Sequence, residues 1–422
     1  MCAPAVVGLS IDFESKYNKP AVPLVISDFA TQEAEVATSH GMPGLRIQFF
    51  RGPVWGKTRD QLRRMIVEGN DPITNRPVMQ ELVEKFTTPL TDAEKRTGEL
   101  KQSEGPATFT DTPDNLQQMF LEKRWTDFLP VILPTEQRVE DMLKGTSHLP
   151  EEPLGQMTNS GVFKPWSYPV RTAAIAAVMA GCKPEYLPLV LAVGSTGMEG
   201  VSVSDNGFVS ALVINGNIRD EIGLNYGIGA MGPFAHANTT IGRAWNLLSI
   251  NGGNCEKVGT TYMGTVGNPM NAINIVIAEN EGQSPFEPFS VRLPGKGYKR
   301  GQNIVNLFSG WGVLSARNWK YDVWQEDMNF PQIIKDIFND QSPSLFGACA
   351  VLSPPIANFV KDAGYDTVEK FTEWLMTPPE GQQPHFQNPN QLHIIVTGGT
   401  NNDYFSIGGL AYFRSVEIDP WR

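Results

Sequence analysis

Residues 178–186, VMAGCKPEY, put a cysteine at the break between two apolar stretches, RTAAIAAVMAG and PEYLPLVLAVG. Gly181 suits the end of one helix, Lys183 the cap of the next and Pro184 its first position. Cys182 then stands just ahead of a helix N-terminus, where free N–H groups and the positive end of the dipole stabilise a thiolate. Glu185, on the first turn, is placed to exchange protons with a bound molecule. The competing reading is a small buried hydrophobe at a tight inter-helix corner. Cys2 is a second candidate thiol. Loss of the initiator methionine would leave it beside an α-amine of pKa about 8, a built-in base. The alternative for Cys2 is an idle, frayed terminus.

Two polar stretches could supply the rest of a site. AENEGQSPFEP (278–288) carries Glu279, Glu281, Ser284 and Glu287 directly after an apolar run. Carboxylates at the carboxyl end of a strand suit an α/β site, and Glu279 and Glu281 could hold a hard divalent metal. A merely solvated loop is the rival reading. NGNIRDEIGLNYGIGAMGPFAHANTTIGRAW (215–245) gathers Asn215, Arg219, Asn225, His236, Asn238 and Arg243 among glycines. There Asn238 or Thr239 would cap a helix whose N-terminus receives an anion, and Arg243 would clamp a carboxylate. With Ser284, these asparagines and arginines form the candidate substrate-binding set; a packing role for the same loop is the other view. RWTDFLPVILPTE (124–136) reads as a rigid structural turn. The five histidines (40, 148, 236, 385, 393) show no HxH or HExxH spacing. No P-loop, GxSxG or dinucleotide fingerprint stands in a suitable context, so no nucleotide or haem cofactor is implied.

The elements that must position these groups read as α/β. AVPLVIS, a helix starting at Ser27 or Asp28 and closed by Gly41, and LRIQFF form a β-α-β unit over 21–50. It has no glycine-rich phosphate loop. Charged helical segments fill 58–100, KQSEGPATFTDTPD (101–114) reads as a linker, and Thr135 caps TEQRVEDML. From 169 onward strands alternate with helices. The expected organisation is a small Rossmann-like N-terminal β-α-β region with a helical extension (1–100), a linker with a Trp/Pro-rich segment (101–168), and a larger mixed α/β domain (169–422). No repeat of 20–50 residues is visible.

Over 422 residues the formal net charge is −11, which disfavours nucleic acid and anionic membrane as partners. No apolar run is long enough to span a bilayer, and the first residues lack a secretory pattern. Four scattered cysteines suit reduced thiols in the cytoplasm.

RWTDFLPVILPTEQRVEDML, AAVMAGCKPEYLPLVLAV, LVINGNIRDEIGLNYGIGAMGPFAHANTTIGRAWNLL (212–248), AENEGQSPFEPFSV, CAVLSPPIANFVKDAGYDTVEKFTEWL and HIIVTGGTNNDYFSIGG together resemble the large bacterial UGSC-family proteins and selenoproteins. That family is named for a selenocysteine (or cysteine)-Gly-Ser-Cys motif at the N-terminal end of an α/β domain. The resemblance implies a thiol or redox protein and aligns Cys2 with the last motif residue. The three preceding motif residues and their leading strand are absent here. Either a separate small subunit supplies them, or the dithiol chemistry has been abandoned; an unpaired sheet edge favours the first. The expectation is a thiol-dependent enzyme (oxidoreductase, lyase or hydrolase) for a small polar or anionic molecule, as the large subunit of a heteromer or as a homo-oligomer. Cys182, Glu185 and Cys2 would be catalytic. A metal-dependent hydrolase or lyase using the 279–287 carboxylates and a non-catalytic subunit are the alternatives.

Overall fold

The computed structural model describes residues 2–95, 98, 107–157, 165–201, 207–315, 329–340, 347–378, 380, 381, 384, 386 and 388–422. The chain begins with α1 (Cys2–Tyr17), β1 (Leu24–Ile26), α2 (Ala30–Ser39) and β2 (Gln48–Phe50). β1 and β2 pair in parallel with α2 as the crossover, but each strand is only three residues long. The expected Rossmann-like region is therefore a single parallel pair. Gly41 takes a φ of +76° just after α2, a position that favours glycine. The expected cap by Ser27 or Asp28 is absent: residues 27–29 form a 3-10 turn, and Phe29 precedes α2 without a side-chain cap. Val7 and Ile11 of α1 meet Val36 and Ala37 of α2 in a small core shared with Val25 and Leu45.

The helical extension contributes α3 (Arg59–Leu62) and α4 (Val78–Thr87). Arg46 ties it down with a bidentate bond to Glu94 (2.6 and 2.7 Å) and bonds to the carbonyls of Lys85, Thr88 and Pro89. Then come α5 (Pro113–Glu122), α6 (Glu136–Leu143), β3 (Pro153–Met157) and the antiparallel β4 (Trp166–Pro169). Thr135 Oγ1 caps α6, as expected, by accepting from the Arg138 N–H.

The larger region runs α7 (Val170–Ala180), α8 (Leu187–Gly194), β5 (Val209–Asn215), α9 (Ile218–Glu221), α10 (His236–Gly253), β6 (Ile275–Ala278), α11 (Phe289–Arg292) and β7 (Ile304–Ser315). It ends with α12 (Phe330–Asp340), β8 (Ala348–Leu352), α13 (Pro354–Asp362), α14 (Val368–Met376), β9 (Leu392–Val396) and β10 (Phe405–Glu417). The protein is mixed α/β. Among the described residues, six strands form one sheet in the order β6-β5-β7-β10-β8-β9. That order has a two-fold logic. Each half is a parallel pair (β5 with β6, β8 with β9) followed by a long antiparallel strand, and the two long strands, β7 and β10, pair at the centre. Both parallel pairs extend one step by the same bond, Glu279 N–H to Ile214 O and Thr397 N–H to Leu352 O.

Side chains alternate across this sheet with period two. Leu212, Ile214, Val276 and Leu307 face α7, α8 and α10 in one core; Ala350, Leu352, Ile394 and Val396 face α13 and α14 in another. The intervening residues of all six strands form a third core around Phe289 of α11. Residues from both edge strands, β6 and β9, share that core, so the sheet is curled. The edges meet at their carboxyl ends: Asn280 N–H donates to Val396 O, and Thr397 Oγ1 to Ala278 O, each at 2.7 Å. Register shifts in β10 after Gly409 and after Tyr412 permit the bend. A Cβ on Gly310 of β7 would lie 1.8 Å from Gly409 O, so the crossing of the two long strands requires glycine. No helix among the described residues is long and apolar enough to cross a membrane.

Candidate functional site

The carboxyl ends of β5 and β6 bring Asn215, Glu279 and Glu281 together, 1%, 1% and 7% exposed. Asn215 Nδ2 donates to Glu279 Oε2 at 2.6 Å and to Glu281 Oε1 at 3.1 Å. Its Oδ1 accepts from the Ser290 N–H of α11 and from Asn306 Nδ2 of β7. The Phe289 N–H also donates to Glu279 Oε2, and the Gly216 N–H to Glu281 Oε1. Gly216, with φ +94°, makes the turn that aims this N–H; a Cβ there would lie 2.1 Å from Gln302 O. Arg219 donates to the carbonyls of Gly216 and Glu279 and stands 3.4 Å from Glu281 Oε2. The Tyr226 ring covers its guanidinium. Burial pushes the Glu279 carboxyl above its ordinary range, with the Arg292 charge and the Phe289 N–H pulling the other way.

Against the expected substrate clamp, several of the named residues use their polar atoms within the fold. Asn238 is not a cap: α10 starts two residues earlier, and its amide bonds the backbone of Asn225 and the carbonyl of Val276. Asn225 in turn bonds the backbone of Gly227 and Ile228, pinning the glycine-rich loop. Arg243 holds Asp127 through two bonds (2.8 and 2.9 Å) and the Pro130 carbonyl, fixing the aromatic–proline turn to α10. Ser284 Oγ closes a local turn with Phe286. Beyond Asn225, the glycine-rich loop turns apolar side chains outward, with Ile228 71%, Met231 44% and Phe234 99% exposed. It meets the β9 side through Gly398 N–H to Tyr226 O.

The expectation of an activated Cys182 is corrected. Its N–H closes α7 by donating to Ala177 O, and its side chain packs against the α7–α8–α10 core. Burial pushes this thiol up to about 12, outweighing a hydrogen bond with Thr240. Residues 184–186 form a 3-10 turn, and α8 begins only at Leu187. Glu185 is half exposed beside Lys183, on an open groove of about 510 Å³ bordered by Lys144, Pro188, Glu221 and Arg422; Cys182 does not line it. Cys255 and Cys349 are buried and also pushed up, Cys349 to about 12. Cys2 opens α1, but its side chain, like all of His385, lies outside the described residues. The expected metal ligands Glu279 and Glu281 stand side by side; N–H donors meet one oxygen of each, and no three His, Cys, Asp or Glu gather for a metal among the described residues.

One residue went unnoticed in the sequence. Glu33 sits on the buried stripe of α2 with Val36 and Ala37, and is 0% exposed. Burial pushes its carboxyl up to about 7. A charged residue on the apolar side of an amphipathic helix was the available signal. Comparison with family models, with curated proteins and with solved structures finds no match for the chain.

Two outcomes follow from these environments. In the native protein at pH 8, Cys182, Cys255 and Cys349 stay unalkylated by iodoacetamide and become reactive in urea; peptide mass spectrometry reads each thiol. For Glu33, a folded pKa of about 7 against an ordinary 4.5 means that stability is lost as pH rises from the lower value to the higher. Thermal unfolding should therefore show wild type losing up to about 3 kcal/mol between pH 4 and pH 8 relative to Glu33→Gln. Equal pH dependence in the two proteins would refute the raised value.

Proposed function

We propose that the chain is an enzyme carrying out proton transfer on a small polar molecule where the β5 and β6 carboxyl ends meet. Glu279 gives or takes the proton at its carboxyl oxygen, and Glu281, ion-paired to Arg219, holds the adjacent negative charge. The observation that carries this reading is the convergence of both carboxylates on the single amide nitrogen of Asn215 in unlike surroundings. Glu279 is deeply buried and pushed up, whereas Glu281 faces a guanidinium. Pairs of carboxyl groups set apart by environment divide acid and base roles. Arg219 faces inward, so the favoured substrate is a neutral molecule with hydroxyl or amide groups rather than an anion. The exposed apolar side chains of the glycine-rich loop are placed to cover such a molecule and exclude water.

Thiol catalysis at Cys182 has no support in its surroundings, and a thiol role passes to Cys2. Kinship with UGSC-family proteins, cytoplasmic residence and assembly with a small subunit or a second copy belong to the same proposal and rest on the sequence stretches that suggested them.

A thermal-shift panel of small polyols, hydroxy acids and amides tests the site. At least one compound should raise the wild-type Tm by about 3 °C at saturating concentration, with no shift in Glu281→Gln or Glu279→Gln variants that keep the wild-type circular dichroism. A panel that stabilises all three proteins equally, or none, contradicts the proposal.

A further inference from the structure

Away from the carboxylate pair, one histidine is held in a way that only its charged form satisfies. His148 follows α6, and both of its ring nitrogens face acceptors: Nδ1 lies 2.9 Å from Glu152 Oε1, and Nε2 lies 2.8 Å from the Pro420 carbonyl. A neutral imidazole carries one N–H, so it would turn a lone pair toward the carboxylate or toward the carbonyl; the imidazolium donates to both. The Pro420 carbonyl and the Glu152 carboxylate accordingly push its pKa above the ordinary 6.5. Glu152 is the charge that meets the ring. Charged groups on the neighbouring elements pair with others: Lys144 with Asp141, Arg171 of α7 with Glu140 and Glu151, and Arg422 with Glu221 of α9 and Asp419.

What this ring holds is the 419–422 turn. Its face stacks on Trp421 with 4.9 Å between ring centres. Thr146 Oγ1 donates to Trp421 O at 2.7 Å, and Ser147 Oγ donates to Arg422 O. The turn leaves the core at Ile418, which is fully buried, whereas Trp421 is only partly covered. From there it reaches α9. Arg422 pairs with Glu221, and Asp419 Oδ1 accepts from Asn303 Nδ2, whose Oδ1 accepts the Ile218 N–H at the start of that helix. Arg422 and Glu221 both border the open groove that Glu185 lines, so the docked turn is one wall of it.

We propose that His148 is a pH-operated latch: as an imidazolium it docks the 419–422 turn against α9, and on losing its proton it loosens the turn and opens the groove on the Arg422 side. A histidine whose pKa is raised in the docked state supports docking below its ordinary value, and that support is lost as pH rises through the raised one. The latch is therefore closed in mild acid and released on the alkaline side. Glu152, held below the ordinary carboxylate range by its bond to His148, stays charged across that interval, so the histidine sets the switch.

Two measurements on the full chain between about pH 5 and pH 9 test the latch. Long-range ¹H–¹⁵N NMR of histidine-labelled protein, assigned with His148→Phe, reads the protonation of each ring nitrogen. Hydrogen exchange followed by mass spectrometry reads the amides of Trp421 and Arg422, which bond to Ile418 O and Asp419 O in the docked turn. His148 should titrate above 6.5, with both nitrogens protonated on the acid side. For every pH unit by which that midpoint exceeds 6.5, exchange of the turn, divided by the intrinsic rate at each pH, should rise about tenfold on passing through it. His148→Phe keeps a ring to stack on Trp421 but has no donor. Its turn should exchange at all pH values as fast as that of deprotonated wild type, with the rest of the chain protected as in wild type. A midpoint at or below 6.5, a wild-type turn whose corrected exchange does not change with pH, or a variant that keeps the step would each overturn the proposal.

Discussion

The larger region depends on one side chain amide. Asn215 ends β5, and its two polar atoms reach β7 through Asn306, α11 through Ser290, and both carboxylates that follow β6. A buried amide that meets two carboxylate oxygens, a backbone N–H and a second amide is fully satisfied. Such networks are strongly specifying because each member left alone would be an unpaired polar group in the core. Asn306 continues the chain of bonds to Ser415 on β10 and to the Val213 carbonyl. The network therefore crosses the centre of the sheet, where the two halves join.

Curling the sheet is what makes this arrangement possible. A flat sheet in the order β6-β5-β7-β10-β8-β9 would hold its outer strands far apart. Here the register shifts in β10 and the close contact of Gly310 with Gly409 bend the long central strands, and the two edges meet through Asn280 and Thr397. The carboxyl ends of the two parallel pairs then face one another. In open α/β sheets such ends are where ligands bind. The glycine-rich loop and the turn after β9 meet over the same place through Gly398 and Tyr226.

Much of this was legible in the sequence because local chemistry decided it. Thr135 capped its helix, Gly181 ended α7 in the left-handed conformation and Gly41 closed α2. The strand that ends at Asn215, and the carboxylates after β6, stood where the apolar runs placed them. What local pattern could not give was each side chain's partner. Arg243 looked like an anion clamp until Asp127, 116 residues away, occupied it. Cys182 stood at a helix corner as expected, but its side chain packs, partly buried, against the α7–α8–α10 core, and this raises the thiol's pKa where a lowered one was expected. Asn238 is a capping type that lies inside a helix because α10 begins at His236. The duplicated strand order left no trace as a short repeat, since its two halves share topology over long, dissimilar segments.

The chemical account rests on Glu279 keeping its proton more tightly than an ordinary carboxyl while Glu281 beside it is paired with Arg219. Carboxyl-¹³C NMR of glutamate-labelled protein, titrated by pH and assigned with Glu279→Gln and Glu281→Gln, measures this directly. The account predicts a resonance that titrates above the ordinary glutamate value of about 4.3 and disappears in Glu279→Gln. If Glu279 titrates at or below that value, it is not the proton-bearing group, and the proposed division of roles fails.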